Sequence, residues 1–335
     1  MKKAFLTLLI AFVAVVAVKA QKIAVVSESG TTTMFKTLKD AIEGASAGST
    51  IYLPGGAFPI SDEVKITKKI TIIGIGHKAI GENADGNTTI AGNLCFGEGS
   101  SGSAVMGCYL SGIVNIGEEN AIVNDVLIRY CNLNGISVNN SKCTGTVINQ
   151  NYVRGDSNFG NSEVTISNNV IKKILNVAAG VISYNTCCHA CGGKASYNSS
   201  WPALDNVNNS TIIHNIFWGA VVSYYSWFHR GDQCLLSNNY YVKSGGVSLG
   251  ENQINIDAEQ NDVFENVNGW AVTPNSNFHF KEAYKQYEKQ VGIYGGTGFD
   301  DSALPPVPHI IAKNIPEQTD AQGKLNIKIR VKAGE

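Results

Sequence analysis

Charge is what this sequence has least of. Only 16% of its residues are charged, and 26 basic against 27 acidic residues leave a formal net charge of −1. No basic run or patch disturbs that balance, which argues against nucleic acid or an anionic lipid surface as partner. Sustained helical periodicity is also missing. No stretch in the middle of the chain keeps an apolar face for more than a couple of turns, so strands must carry the fold. Long hydrophobic runs are confined to Ala4–Val18, which is short for a bilayer span of about 20 residues. That run follows Lys2 and Lys3 and leads to Val18-Lys19-Ala20 before Gln21, the layout of a cleavable export signal over residues 1–20. Its removal leaves 23 basic against 27 acidic residues, a net charge of −4, and no Cys precedes Cys95 to serve as a lipid anchor at the junction.

What the chain has instead is asparagine in a recurring frame: an aliphatic residue, two variable positions, Asn, then a hydrophobic pair. The frame reads Ile148-Asn149-Gln150-Asn151-Tyr152-Val153, Ile166-Ser167-Asn168-Asn169-Val170-Ile171, Ile182-Ser183-Tyr184-Asn185, Ile212-Ile213-His214-Asn215-Ile216-Phe217 and Leu236-Ser237-Asn238-Asn239-Tyr240-Tyr241. Slid toward the N-terminus it takes in Asn93, Cys108 and Cys131, with Cys replacing Asn twice. The markers 93, 108, 131, 151, 169, 185, 215 and 239 lie 15, 23, 20, 18, 16, 30 and 24 residues apart, as expected where strands are fixed and loops vary. The leucine-dense frame of a leucine-rich repeat is absent. The pattern predicts an all-β, single-stranded right-handed parallel β-helix, a solenoid whose rungs stack about 4.7–4.9 Å apart. Asn at a bend tolerates the left-handed conformation, and its amide both donates and accepts, so stacked Asn side chains are expected to bond in a ladder. Abundant Gly, Val, Ile, Thr and Ser suit stacked parallel strands.

Ahead of the repeat, Phe35–Ala45 has apolar residues at helical spacing and predicts a capping helix. Then Gly48-Ser49-Thr50-Ile51-Tyr52-Leu53-Pro54-Gly55-Gly56 reads as turn, strand and turn, and Val64–Gly74 supplies two more strands. From Gly48 to Gly76, with the preceding helix and the Val164–Asn169 strand and bend, the chain resembles the pectate-lyase-like β-helix superfamily. The resemblance spans roughly residues 35–265 and implies the fold and a carbohydrate-facing surface. It implies no catalytic residue: the R-x-P-x-x-R stretch of pectate lyases, the N-T-D and G-H-G signatures of polygalacturonases and the G-x-V-D-F-I-F-G-like strand of pectin methylesterases are all missing, and Asp300-Asp301, the one Asp-Asp pair, falls outside the rungs. No motif requires a cofactor, and calcium is the cation that an elimination would use.

Candidate site residues cluster in the two longest rungs. The first insertion carries Cys187, Cys188, His189, Cys191 and Trp201; the second carries Trp218, Tyr224, Tyr225, Trp227, Phe228, His229, Arg230 and Asp232. Extra residues in a stacked fold can only leave as loops, and neighbouring loops form one rim. Trp201, Trp218, Tyr224, Tyr225, Trp227 and Phe228 are candidates for gripping sugar rings, or for packing over the barrel. His229, Arg230 and Asp232 are the types needed for a base, a uronate clamp and an acid or calcium ligand, and Arg230 with Asp232 equally suits a surface ion pair. The cysteine cluster lacks the second half of a zinc motif, so disulfides are the first alternative in an exported chain. Cys108 and Cys131, in adjacent rungs, suit a disulfide or a stack of buried thiols.

Three segments follow: the signal 1–20, the β-helix with its cap 21–270, and an extension 271–335 with a Pro/Gly linker and a terminal strand. The Gly292-Ile293-Tyr294-Gly295-Gly296 to Pro305-Pro306-Val307-Pro308 tail looks like that of many exported bacterial β-helix proteins. Lys324–Val331 alternates apolar and basic residues and predicts a strand that pairs along the solenoid, closes the open end of the stack, stays loosely attached, or meets a protein partner. Two functions fit. One is an exported protein that binds or cleaves an extracellular polysaccharide, an acidic, uronate-containing one above all; the other is a non-catalytic surface or secreted solenoid for adhesion or assembly.

Overall fold

The computed structural model describes residues 22–332 except 62–63, 79–85, 189–202, 219–227, 231–232, 243–251, 257, 259, 268–274, 303, 307, 315–317, 320–321 and 326. The expected signal segment lies outside the described residues. Short β-branched runs such as Thr146-Val147-Ile148-Asn149 form strands, and each strand pairs in parallel with the one that follows a full rung later. Three columns result. Column one runs from Ser49–Tyr52 through Ile70–Ile73, Ala104–Met106, Leu127–Arg129 and Thr146–Asn149 to Ser210–Ile213 and Leu235–Ser237. Column two runs from Gly56–Pro59 through Thr88–Ala91, Tyr109–Leu110 and Asn132–Leu133 to Thr186–Cys188, Ile216–Trp218, Tyr240–Val242 and Ile254–Ile256. Column three runs from Lys65–Ile66 through Leu94–Phe96, Ile113–Ile116 and Gly135–Val138 to Leu204–Val207 and Phe228–Arg230. Two long strands, Tyr152–Ser167 and Val170–Ser183, pass through all three columns. The molecule is therefore mostly β, built on one large and mostly parallel sheet.

Period-two alternation sends one side of each strand inward. In column one the register brings Ile51, Ile72, Val105, Ile128, Ile148, Ile166, Ile182 and Ile212 above one another, each at most 1% exposed. Burying each such side chain contributes about 1.5–3 kcal/mol. At the start of the stack, helix Leu38–Gly44 lays Leu38, Ala41 and Ile42 on the core. Thr37 caps it by accepting from the Asp40 N–H, and Lys68 Nζ donates to the Glu43 and Ala45 carbonyls at 2.9 and 2.8 Å. Strand Ile23–Val26 pairs antiparallel with Thr32–Phe35 and with Ser49–Tyr52, covering the first edge.

Between columns one and two stands the asparagine ladder. Asn151, Asn169, Asn185, Asn215 and Asn239 are fully buried. Each Nδ2 from Asn151 to Asn215 donates to the Oδ1 of the next Asn at 3.0 Å, and that same Oδ1 accepts from the backbone N–H of the Asn before it at 2.8–3.0 Å. The Nδ2 groups also donate to strand carbonyls, as Asn185 does to Ile166 and Ser183. Below Asn151 the same corner holds Cys131, whose N–H donates to Asn151 Oδ1 and whose thiol is 3.3 Å from the Arg129 carbonyl. Cys108 follows, with its thiol 3.4 Å from the Met106 carbonyl. Both are free thiols, so the alternative of a Cys108–Cys131 disulfide falls away.

Two expectations need correction. Asn93 is not in this ladder: Ile90 belongs to column two, opposite Leu110, so Asn93 sits one corner later and accepts from the Ile113 N–H. At the ladder's corner in that rung the Ile75 N–H is met instead by Thr88 Oγ1. The left-handed residue is also not the ladder Asn but the one before it, at Gly107, Tyr130, Gln150, Asn168, Tyr184, His214 and Asn238, all with φ between 53° and 66°. This leaves the ladder Asn pointing inward while its predecessor points out. A second, exposed amide chain, absent from the sequence reading, links Asn158, Asn176, Asn206 and Asn208 at the opposite corner.

Those outward residues hold the C-terminal extension. His214 accepts Gly292 N–H on its carbonyl and places Nδ1 2.8 Å from the Gln290 carbonyl. Asn168 Nδ2 donates to the carbonyls of Ile293 and Gly295, and Gln150 Nε2 to that of Gly298. Tyr184 fills the space against Gly295 and Gly296, and Pro305 lies on Gly107, where a Cβ would meet its ring at 2.7 Å. Residues 290–302 with Leu304 and Pro305 thus form a strap running back down the stack. It is fastened by Asp301, which accepts from Tyr294 Oη at 2.7 Å and pairs with His279 Nε2 at 3.1 Å, while His279 Nδ1 lies 3.0 Å from Glu288. The terminal strand Lys328–Lys332 pairs antiparallel with His309–Asn314, not with the rungs, and Leu325, Ile327, Ile329 and Val331 are exposed.

Two outcomes follow from this packing. Asn185→Ala strands the Asn169 amides and is expected to cost about 3 kcal/mol or more, against less than about 0.5 kcal/mol for the exposed Asn206→Ala, in chemical denaturation. Burial, then the neighbouring Lys78 ammonium, push the His77 ring from 6.5 down to about 3, its own carbonyl weakly opposing. Between those pH values the unfolded chain holds a proton that the folded chain rejects, so stability falls on acidification by up to about 1.4 kcal/mol per pH unit from this ring. Melting of wild type and His77→Leu from pH 7 to 4 is expected to show the slope reduced in the variant.

Candidate functional site

The described ends of both long insertions lie at one corner. The chain departs from column two at Cys188 and at Trp218, on consecutive rungs, and enters column three at Leu204 and at Phe228. Inward positions there are apolar and buried: Ile174 and Leu204 are register partners and 0% exposed. The outward flank carries charge. Asp205 pairs with Leu175 below and with His229 above in the strand register, and Lys173, 4% exposed, places Nζ 3.6 Å from Asp205 Oδ2. The adjacent Lys172 reaches the rung below, its Nζ 3.0 Å from Asp156 Oδ1.

Of the sequence candidates, Trp201, Tyr224, Tyr225, Trp227 and Asp232 lie outside the described residues. Trp218 ends its column-two strand beside Cys188 and Val242. Phe228, His229 and Arg230 form one column-three strand, aligned with Leu204, Asp205 and Val207. The structure thus sets the His229 backbone directly beside Asp205. Lys173 and Asp205 were missed in the sequence because no motif marks them; the one available signal is that Lys172-Lys173 breaks the apolar run between Ile171 and Ile174.

Three of the described cysteines are poor nucleophiles. Burial pushes Cys131 up to about 12 and raises Cys108 and Cys187 as well, so all three stay protonated at neutral pH. Cys188 is disulfide-bonded. Among the described residues no cluster of three or more His, Cys, Asp or Glu gathers around a metal position, and no helix is long and apolar enough to cross a membrane. No family model, curated protein or solved structure matches the chain.

Proposed function

We propose that the three columns wind as a right-handed parallel β-helix of an exported protein, and that it holds an extracellular, uronate-containing polysaccharide where the two insertions emerge. Handedness follows from the rule that parallel strands joined by a crossover in one sheet are right-handed in about 98% of cases. The observation that carries the binding reading is the shared corner: the two segments whose sequences contain Trp201 and Trp227, with Trp218 at the described edge of the second, join the stack on consecutive rungs at the corner that holds Lys173 and Asp205. Aromatic faces there would pack on sugar C–H surfaces, and the cations would meet carboxylates. In this reading Arg230 clamps a uronate, His229 takes the C5 proton of an elimination and Asp232 acts as acid or calcium ligand. The pectate-lyase-like resemblance supports the same substrate class.

A second reading, a non-catalytic adhesive or structural solenoid, is favoured by one observation. Lys173 and Lys172 already pair with Asp205 and Asp156, an arrangement that suits a settled surface.

Both readings meet in one assay: binding and product release on acidic and neutral polysaccharides, with calcium or chelator, for wild type and the Trp227→Ala, Arg230→Ala double variant. The expected result is acidic-polymer binding weakened about tenfold or more in the double variant. Unsaturated uronate absorbance or new reducing ends, lost in that variant, would add a lyase or hydrolase activity. Silence on every polymer would turn the assignment to the adhesive solenoid.

A further inference from the structure

Each column turns one side of its strands outward, and the three outer faces differ. That of column three is polar, with Lys65, Asn115, Ser137, Asn158 and Asp205 on one register line. That of column two is apolar in its later rungs, where Tyr152, Val170, Ile216 and Tyr240 share a register line. It is buried, because Phe278, Phe280, Val291 and Ile293 of the C-terminal extension pack with it as a second core. Column one is apolar on its outside too, yet it lies open. One register line runs without a bulge from Thr50 through Leu127, Val147, Thr165 and Val181 to Leu235, and every position on it is aliphatic or threonine. The antiparallel strands at the start of the stack continue the face with Ala24, Val26 and Met34. Val181 is 40% exposed, Met34 51% and Leu235 62%. Arg129, the one charged side chain on the outer positions of these strands, is folded over the Tyr130 ring at 4.5 Å.

An open apolar face of this length marks an interaction surface. Its size suits a protein partner. The nine parallel strands and two antiparallel ones, about 4.7–4.9 Å apart and about 13 Å wide, make a face of about 600 Å². Two such faces remove about 1,200 Å² from water, above the roughly 1,000 Å² that a specific interface needs. The chemistry narrows the partner further. A charged surface would leave its charges unpaired here, and interface cores are depleted of charge. A glycan would find one aromatic ring, Tyr52, to stack on. A second copy of this chain brings an uncharged face with the same strand spacing and the same β-branched side chains, which interdigitate when two sheets pack about 10 Å apart. The chain covers the like face of column two from within itself; for column one the cover comes from outside.

We propose that two copies of the chain pack column one against column one about a two-fold axis, burying Val147, Thr165, Val181 and Leu235 of each. This surface shares no residue with the insertion corner and stands whether or not that corner binds glycan.

Sedimentation velocity of the full chain tests it. Between about 1 and 100 μM the expected result is a monomer–dimer equilibrium with Kd of about 1–10 μM. Thr165→Lys and Val181→Lys change exposed, outward positions and are expected to keep the wild-type circular dichroism while raising Kd about a hundredfold or more, since a two-fold interface carries each change twice. Leu235→Gln, which removes apolar contact without adding charge, is expected to raise it about tenfold. Ile329→Lys, on the exposed C-terminal strand, is expected to leave Kd unchanged. A wild type still monomeric at about 100 μM, a dimer that survives the three column-one variants, or one lost in Ile329→Lys would overturn the proposal.

Discussion

Everything in this molecule depends on bringing the same side chain back above itself at each rung. Parallel strands about 4.7–4.9 Å apart satisfy one another's backbone groups, but a corner interrupts that ladder and leaves N–H groups to be met by something else. The Asn amide meets them. Its oxygen accepts both the backbone N–H and the side-chain N–H of the rung before, while its nitrogen donates to strand carbonyls, so each residue closes the gap its neighbour opens. Where Asn gives way to Cys131 and Cys108, the thiols reach the same type of carbonyl, more weakly. Thr88 performs the service in the rung below.

The corner geometry that turns the Asn inward also produces the outer surface. A left-handed residue precedes each ladder position, and its side chain stands on the outside of the stack. Gln150, Asn168, Tyr184 and His214 therefore form a line along the axis, and the strap lies across it. One backbone device, repeated, both seals the core and docks the extension. Ile293, Phe299 and Asp301 of the same strap line a small cleft with His77 and Tyr152.

How much of this could be read from the chain follows from which interactions repeat. The five Asn, Cys108 and Cys131 were legible because one constraint recurs at each rung. Asn93 misled, since Ile90-Ala91-Gly92-Asn93 imitates the frame while belonging to a different corner, and only strand register separates the two. The left-handed position was misassigned by one residue because Asn is the usual occupant of that conformation, whereas here Tyr130, Gln150, Tyr184 and His214 adopt it. The strap was invisible because its contacts join residues far apart in the chain, from His214 with Gln290 to Asn168 with Ile293. Lys173 and Asp205 meet across a rung, with nothing local in the sequence to pair them.

Amide hydrogen exchange followed by NMR tests the central role of the ladder most directly. The side-chain amides of Asn151, Asn169, Asn185 and Asn215, with the backbone N–H groups they protect, are expected to be among the last in the molecule to exchange, opening only with global unfolding. The exposed chain of Asn176 and Asn206 is expected to exchange far earlier. Equal rates for the two sets would contradict the account, because the stack would then be held by its aliphatic interior alone.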